Sequence, residues 1–337
     1  MKRFLINYVL LFPYFIVLKI RHYLYDSGFL KSKKFDLPVI SIGNIEIGGT
    51  GKTPHTEYLI KKLMPTERVA VLSRGYGRKS KGFHFVRIDS TVKEVGDEPL
   101  QMKRKFVDVI VAVCEKRVKG VEIMLSLPPE SRPTVIILDD AFQHRKISPS
   151  TNILLVDYNH MLEEQILFPL GRLRDLPEQK KRADIVIVTK CPAEISPEER
   201  FVREQHLKLS NNQKLAFSTI NYGEPKALFE GADRRYIYSK YAILITAVAN
   251  PKPLQYQLVS DYKLVERLNF RDHHNFTKRD VEKINKKAAK WPKAVLFTTE
   301  KDAQRMMENN NFSALVRERI FYIPIEVEFV SENLNVV

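Results

Sequence analysis

Cysteine is nearly absent: Cys114 and Cys191 are the two in 337 residues, one inside an apolar run and one directly before Pro192. That excludes a disulfide framework and a thiolate metal centre, and it suits a reducing cytoplasm. No apolar run is long enough to cross a bilayer. A span needs about 20 apolar residues, whereas the stretch over residues 4–18 contains Asn7 and Pro13 and ends at Lys19. No small-residue cleavage site follows it, so it does not read as a secretory signal. Internal repeats and low-complexity tracts are missing as well.

Positive charge is in excess. The formal net charge is +15 and the isoelectric point about 9.6, which favours anionic partners: nucleic acid, phospholipid headgroups or a phosphorylated substrate. Lys2, Arg3, Lys19, Arg21, Lys31, Lys33 and Lys34 against Asp26 alone place +6 of that charge in the first 34 residues. These basic residues flank the apolar stretch, and Tyr8, Tyr14, Tyr23 and Tyr25 suit a headgroup boundary. The segment reads as an interfacial or shallowly inserted helix, with peripheral membrane attachment as the expectation. A helix docked on the protein's own core is the alternative.

A chain of this length accommodates two α/β domains of unequal size. Residues 37–42, 69–72, 107–113, 134–138, 152–156 and 185–189 are apolar runs bounded by turn or charged residues, most of them rich in Val and Ile. They read as buried parallel strands joined by crossover helices. A second block begins near Asn221 and repeats the strand, helix, strand order over residues 242–248, 278–290 and 294–298.

The run Gly48-Gly49-Thr50-Gly51-Lys52-Thr53 follows the first apolar strand and precedes Pro54 and a helical pattern. Consecutive glycines let backbone N–H groups converge on an anion. Lys52 can reach the β and γ phosphates of a nucleotide, and the Thr53 hydroxyl can touch Mg²⁺. The general pattern wants glycine five residues before Gly51, where Glu46 stands, and the partitioning-ATPase variant wants lysine where Ile47 stands.

Asp139 and Asp140 follow the strand at 134–138, where a parallel sheet delivers carboxylates to its ligand-binding edge. They read as metal-holding acids, with helix capping as the plain alternative. Gln143 and His144 follow closely enough to line the same cleft. In Val95-Gly96-Asp97-Glu98-Pro99, Asp97 reads as either a helix cap or a base for an acceptor hydroxyl, with Glu98 near the metal. The turn from Ser73 to Arg78 holds Arg74 and Arg78, which suit either phosphate or solvent. Phe270-Arg271-Asp272-His273-His274-Asn275-Phe276 holds a proton relay or a structural pair. Phe297-Thr298-Thr299-Glu300-Lys301-Asp302 either recognises part of a nucleotide or caps a helix.

In their order, the segments at residues 40–54, 72–78, 95–99, 138–144, 168–177 (FPLGRLRDLP), 270–277 and 297–303 closely resemble the tetraacyldisaccharide 4′-kinase family of bacteria with an outer membrane. A non-glycine at Glu46 is similar to that family too, whereas Ala141 stands where it usually has glycine. The resemblance implies transfer of the γ-phosphoryl group of ATP to the 4′-hydroxyl of a tetraacylated disaccharide 1-phosphate at the cytoplasmic face of the inner membrane. It implies a membrane-associated helix over 1–28, a P-loop kinase domain over 29–220, a smaller α/β domain over 221–325 closing the cleft, and a C-terminal return segment over 326–337.

For the site, the resemblance implies that Gly48, Gly49, Thr50, Gly51, Lys52 and Thr53 cradle the phosphates. Thr53, Asp139, Asp140 and Glu98 share the Mg²⁺, and Arg74 or Arg172 steadies developing charge. Asp97 takes the acceptor proton with His273 as dyad partner, the choice between His273 and His274 being open. The implied partners are the acylated disaccharide lipid and the inner-leaflet surface, with no nucleic acid and no obligate protein partner. A P-loop switch or partitioning ATPase at a membrane is the alternative function. A basic nucleic-acid-binding protein is a weaker one, since it leaves the P-loop idle.

Overall fold

The structure is a computed structural model, and it describes residues 11–160, 162 and 166–330. Part of the expected helix over 1–28 therefore lies outside the described residues, as do residues 331–337.

In chain order the first strands are β1 (Val39–Gly43), β2 (Val69–Ser73), β3 (His84–Phe85), β4 (Ile110–Val113), β5 (Val135–Leu138), β6 (Thr151–Asp157), β7 (Ile185–Thr189) and β8 (Lys214–Tyr222). Then come β9 (Lys226–Ala227), β10 (Tyr241–Thr246), β11 (Lys263–Asn269), β12 (Val295–Thr299), β13 (Ile320–Ile323) and β14 (Ile325–Phe329). Among the described residues a large sheet has the order β14-β8-β7-β6-β1-β5-β2-β4-β3, and a smaller one the order β11-β10-β12-β13-β9. The chain is α/β with a large, mostly parallel sheet. The Val- and Ile-rich runs are buried on both faces, as parallel strands under crossover helices must be. The expected strand over 107–113 begins only at Ile110. Residues 107–109 turn instead, Val109 N donating to Phe106 O at 3.2 Å, and Lys103 Nζ donates to the carbonyls of Val107 (2.6 Å) and Val109 (3.0 Å).

Among the described residues the α-helices are α1 (Phe12–Asp26), α2 (Lys52–Leu63), α3 (Val92–Val95), α4 (Asp97–Lys105), α5 (Arg117–Leu125), α6 (Pro197–Leu207), α7 (Lys252–Val259), α8 (Lys278–Lys290), α9 (Glu300–Met307) and α10 (Ala314–Arg317). One face of the large sheet packs Ile42, Val71, Ile137 and Ile153 against Leu59, Ile60 and Leu63 of α2 and Leu100 and Met102 of α4. The opposite face takes Phe15 and Leu18 of α1 together with Val156, Val186 and Leu173. The smaller sheet sits between α8 (Val281, Ile284, Ala288) and α7 (Leu254, Leu258). Each such fully buried side chain contributes about 1.5–3 kcal/mol.

Helix α1 docks with Phe15, Leu18 and His22 inward, while Phe12, Val17, Ile20 and Tyr23 stay exposed. No helix among the described residues is long and apolar enough to cross a membrane. His22 fixes the helix: its Nε2 lies 2.6 Å from Asp175 Oδ1, and Arg145 Nη1 lies 3.1 Å from its Nδ1. Arginine has no acceptor, so Nδ1 carries the lone pair and Nε2–H donates to Asp175.

The chain crosses between the two sheets twice, after β8 and before β14. β14 pairs antiparallel with β8, placing Ile325 opposite Tyr222 and Phe329 opposite Ser218. The two crossings lie side by side, with Gly223 N donating to Pro324 O at 2.9 Å.

Candidate active site

β1 lies between β5 and β6, and its parallel register with β5 sets Ser41 beside Leu138. The loop leaving β1 therefore emerges next to Asp139 and Asp140. Gly48 and Gly51 adopt φ +118° and +85°, the left-handed backbone that glycine accepts without strain. Gly51 is the N-cap of α2, so Lys52 and Thr53 occupy its first turn, where the helix dipole favours an anion. Thr50 anchors the loop. Its hydroxyl accepts from Asn44 Nδ2 (2.8 Å) and its carbonyl from Thr189 Oγ1 (2.9 Å). Gly48 and Gly49 are exposed. Lys52 Nζ stands 3.9 Å from Asp140 Oδ1.

Glu46 is wholly buried and neither carboxylate oxygen has a partner among the described residues. Burial, reinforced by Asp157 and opposed by Arg172, pushes its carboxyl up to about 7. Arg172 borders the same loop. Its carbonyl accepts from Ile47 N at 2.6 Å, its Nη1 lies 2.5 Å from His160 Nε2, and a Cβ on Gly48 would stand 3.0 Å from its Nη2.

Asp139 is buried at the end of β5, its two oxygens accepting from Thr56 Oγ1 and Ser73 Oγ, each at 3.1 Å. Burial first, then the charges of Glu98 and Asp140, push its carboxyl up to about 6. Asp140 takes φ +47° and turns the other way, to Arg174. Burial raises its pKa, but Lys52 and Arg174 outweigh that and hold it below the usual carboxylate range. Arg174 also donates to Asn44 Oδ1 at 2.5 Å, tying the Asp140 turn to the loop.

Asp97 opens α4. Gly96 before it has φ +90°, and a Cβ there would meet Tyr76 O at 3.0 Å, so glycine is what brings the helix start under the turn after β2. Asp97 Oδ1 accepts from Glu98 N (2.9 Å). Its Oδ2 faces His273 Nδ1 at 3.0 Å and accepts from Arg305 Nη1. Lys301 Nζ lies 3.1 Å from His273 Nε2 and donates to Glu98 Oε1 at 2.8 Å. An ammonium only donates, so His273 Nε2 carries the lone pair and Nδ1–H donates to Asp97. Burial alone would raise the Asp97 carboxyl, but the His273 hydrogen bond and the charges of Lys301 and Arg305 hold it near 2.

The structure thus gathers Lys52, Asp139, Asp140, Asp97, Glu98 and His273 around the edge of the large sheet and the facing unit. It separates the adjacent histidines. His274 lies 2.9 Å from Asp280 and stacks on Phe270, while the positive φ of His273 (+56°) turns it to Asp97. The two arginines of the 73–78 turn also part. Arg74 is exposed, whereas Arg78 is committed to Glu115 and the Gly82 carbonyl. Gln143 reaches the Asn44 carbonyl at 2.7 Å rather than the phosphate loop face. In the 297–303 segment Thr299 caps α9 through Asp302 N (3.1 Å), and Lys301 points to His273. Arg174 and Arg305 were not singled out from the sequence. Arg174 stands in a quoted motif with no spacing rule to mark it, and Arg305 has no local signal.

A family model described as Tetraacyldisaccharide-1-P 4'-kinase matches residues 3–336. The tetraacyldisaccharide 4'-kinase of Phocaeicola vulgatus is 45% identical over 319 residues, 93% of this chain and 87% of that relative. The Flavobacterium johnsoniae protein of the same name is 40% identical over 331 residues, 97% and 94% of the two chains. A crystal structure of LpxK from Aquifex aeolicus in complex with ATP is similar with a TM-score of 0.75 at 29% identity, covering 98% of this chain and 95% of that one. With its phosphate loop, strand-end acids and Asp–His pair in place, the chain belongs to the Tetraacyldisaccharide-1-P 4'-kinase family.

Proposed function

We propose that this protein transfers the γ-phosphoryl group of ATP to the 4′-hydroxyl of a tetraacylated disaccharide 1-phosphate, a step of lipid A synthesis. The observation that carries the reading is a phosphate loop and an Asp–His pair meeting across two α/β units, in a chain of this family. The ATP complex of the Aquifex aeolicus relative supports ATP as donor.

In this reading the amides of Gly48 to Thr53 and Lys52 hold the β and γ phosphates. Arg172, and Arg74 from the facing turn, steady the charge on the transferred group. Asp97 takes the proton of the acceptor hydroxyl while the oxygen–phosphorus bond forms and the β–γ bridge breaks to release ADP. His273 orients that carboxylate through Nδ1–H. A weakly basic carboxylate suffices because a loose transition state leaves the proton to move late. Thr53 and Asp139, with Glu98 beside them, are the residues that would hold Mg²⁺, whereas both oxygens of Asp140 face Arg174. The oxygens of Thr53, Asp139 and Glu98 are hard donors, and a bound dication would offset both the burial and the neighbouring Glu98 and Asp140 charges that raise Asp139. When bound, Mg²⁺ supplies charge neutralisation on the phosphate oxygens.

The exposed apolar side of α1, continued by Phe29 and Leu30 and followed by Lys31, Lys33 and Lys34, supports peripheral attachment at the cytoplasmic face of the inner membrane. Neither nucleic acid nor an obligate protein partner enters the reading.

The test is incubation with γ-labelled ATP, Mg²⁺, detergent and tetraacyldisaccharide 1-phosphate. Label is expected on the lipid. Lys52→Ala is expected to lose nucleotide binding and turnover together. Asp97→Asn should lower kcat by about 10²- to 10⁴-fold with the KM for ATP unchanged. Phosphate release at an equal rate without lipid would refute the kinase in favour of a switch ATPase.

A further inference from the structure

The surface on which α4 meets α9 is ionic. Arg104 Nη1 donates to Gln304 Oε1 (3.0 Å), and Lys105 Nζ to Glu57 Oε2 (2.6 Å) and Glu300 Oε2 (3.0 Å). Lys301 is paired with Glu98, and Arg305 with Asp97. Arg305 differs from the others in being held from behind. Its Nη2 donates to Asp302 Oδ1 and to the Ala247 carbonyl. Asp302 in turn accepts from Ala247 N (2.8 Å) and Thr299 Oγ1 (2.8 Å). The guanidinium is thus set by the smaller unit's own core before it meets Asp97, and both side chains of the pair are at least 96% buried. Lys301 performs the matching service for the imidazole, which it bridges to Glu98. Among the described residues, the side-chain partners of Asp97 come from the smaller unit: the Arg305 guanidinium from α9 and the His273 imidazole from the loop after β11, with the Lys301 charge behind it.

Resting on the kinase reading above, we propose that Arg305 and Lys301 are positioning residues of the proton acceptor. Arg305 fixes the Asp97 carboxylate, Lys301 fixes His273, and the base is therefore assembled only where the smaller unit is seated on α4. A preset donor of this kind aligns the carboxylate at no cost at the moment of reaction, and misplacement by about 1 Å costs on the order of 10²-fold in rate.

The experiment is a double-mutant cycle on the full chain with ATP and the lipid acceptor. Arg305→Met is expected to lower kcat by about 10- to 100-fold with the KM for ATP unchanged. Arg305→Lys, which keeps the cation, should recover most of that loss. In the Asp97→Asn background Arg305→Met should cost nothing further, because its target is already gone. Lys301→Met, at a position whose side chain is 23% exposed, should show the same two effects and serves if Arg305→Met fails to fold. Equal losses in the wild-type and Asp97→Asn backgrounds, or a loss confined to KM, overturn the proposal. An active wild type with an additive cycle sinks this inference alone, whereas a wild type that never labels lipid sinks the kinase reading itself.

Discussion

Glu57 offers a quantitative test of how the two units are joined. It projects from the buried face of α2, where Lys105 Nζ (2.6 Å) and Gln101 Nε2 (2.7 Å) donate to its two oxygens. Lys105 also serves Glu300, so one ammonium answers two carboxylates whose side chains are 4% and 7% exposed. Burial first and the Glu300 charge second push the Glu57 carboxyl from its ordinary 4.5 up to about 7. The sign follows directly. A folded-state value above the unfolded one gives stability that is complete below pH 4.5 and lost as pH rises through 7. At 1.36 kcal/mol per unit the displacement corresponds to about 3 kcal/mol. Glu57→Gln removes that titration while keeping the shape and a partner for Lys105. Urea unfolding at pH 5 and pH 8 should therefore show the variant gaining on the wild type by about 2–3 kcal/mol between the two. A stability difference that is flat across this range would refute the assignment.

Two further perturbations address other joints. His22→Ala removes the 2.6 Å donor of buried Asp175, which keeps Leu176 N–H and Arg182, and this costs about 1–3 kcal/mol. Hydrogen exchange over Phe12–Asp26 should rise well before the sheets exchange, and unchanged protection would argue that the apolar face alone holds α1. Gly96→Ala combines φ +90° with a Cβ 3.0 Å from Tyr76 O, whereas Gly82→Ala meets only its φ of +79° and open space. The first should cost about 1–3 kcal/mol and much of the turnover, the second about 1 kcal/mol and none; equal behaviour of the two by thermal unfolding and kcat would contradict the close approach described for α4.

What could be read in the chain beforehand has a physical pattern. Strands such as β1, β5 and β7 were legible because burial on both faces writes an unbroken apolar run. Asp139 and Asp140 were legible because a strand end is a fixed place for a carboxylate. The Asp97–His273 pair spans 176 residues, and no local spacing encodes it; likeness to a family did. Lys301 lay in a segment that read as nucleotide recognition or a helix cap, and Arg305, one helical turn on, carried no local signal. Only the docking of α9 on α4 gives them their partners. The division of labour between His273 and His274 depends on a backbone angle, φ +56°, that adjacent identical residues cannot announce. No sequence pattern marks Glu57 either, because its burial comes from the packing of Lys105 and Glu300 around it.

The side-by-side strands joined at Gly223 and Pro324 make a single ribbon from which the smaller half hangs. Turning about that ribbon would part Asp97 from His273, Lys301 and Arg305 in one motion, while Lys52 and the glycine loop, mounted wholly on the other half, would not feel it. Under the proposed mechanism, a chain hung this way would load its nucleotide with Asp97 and His273 apart and complete the pair only on closure, so that water arriving early would find nothing to activate it.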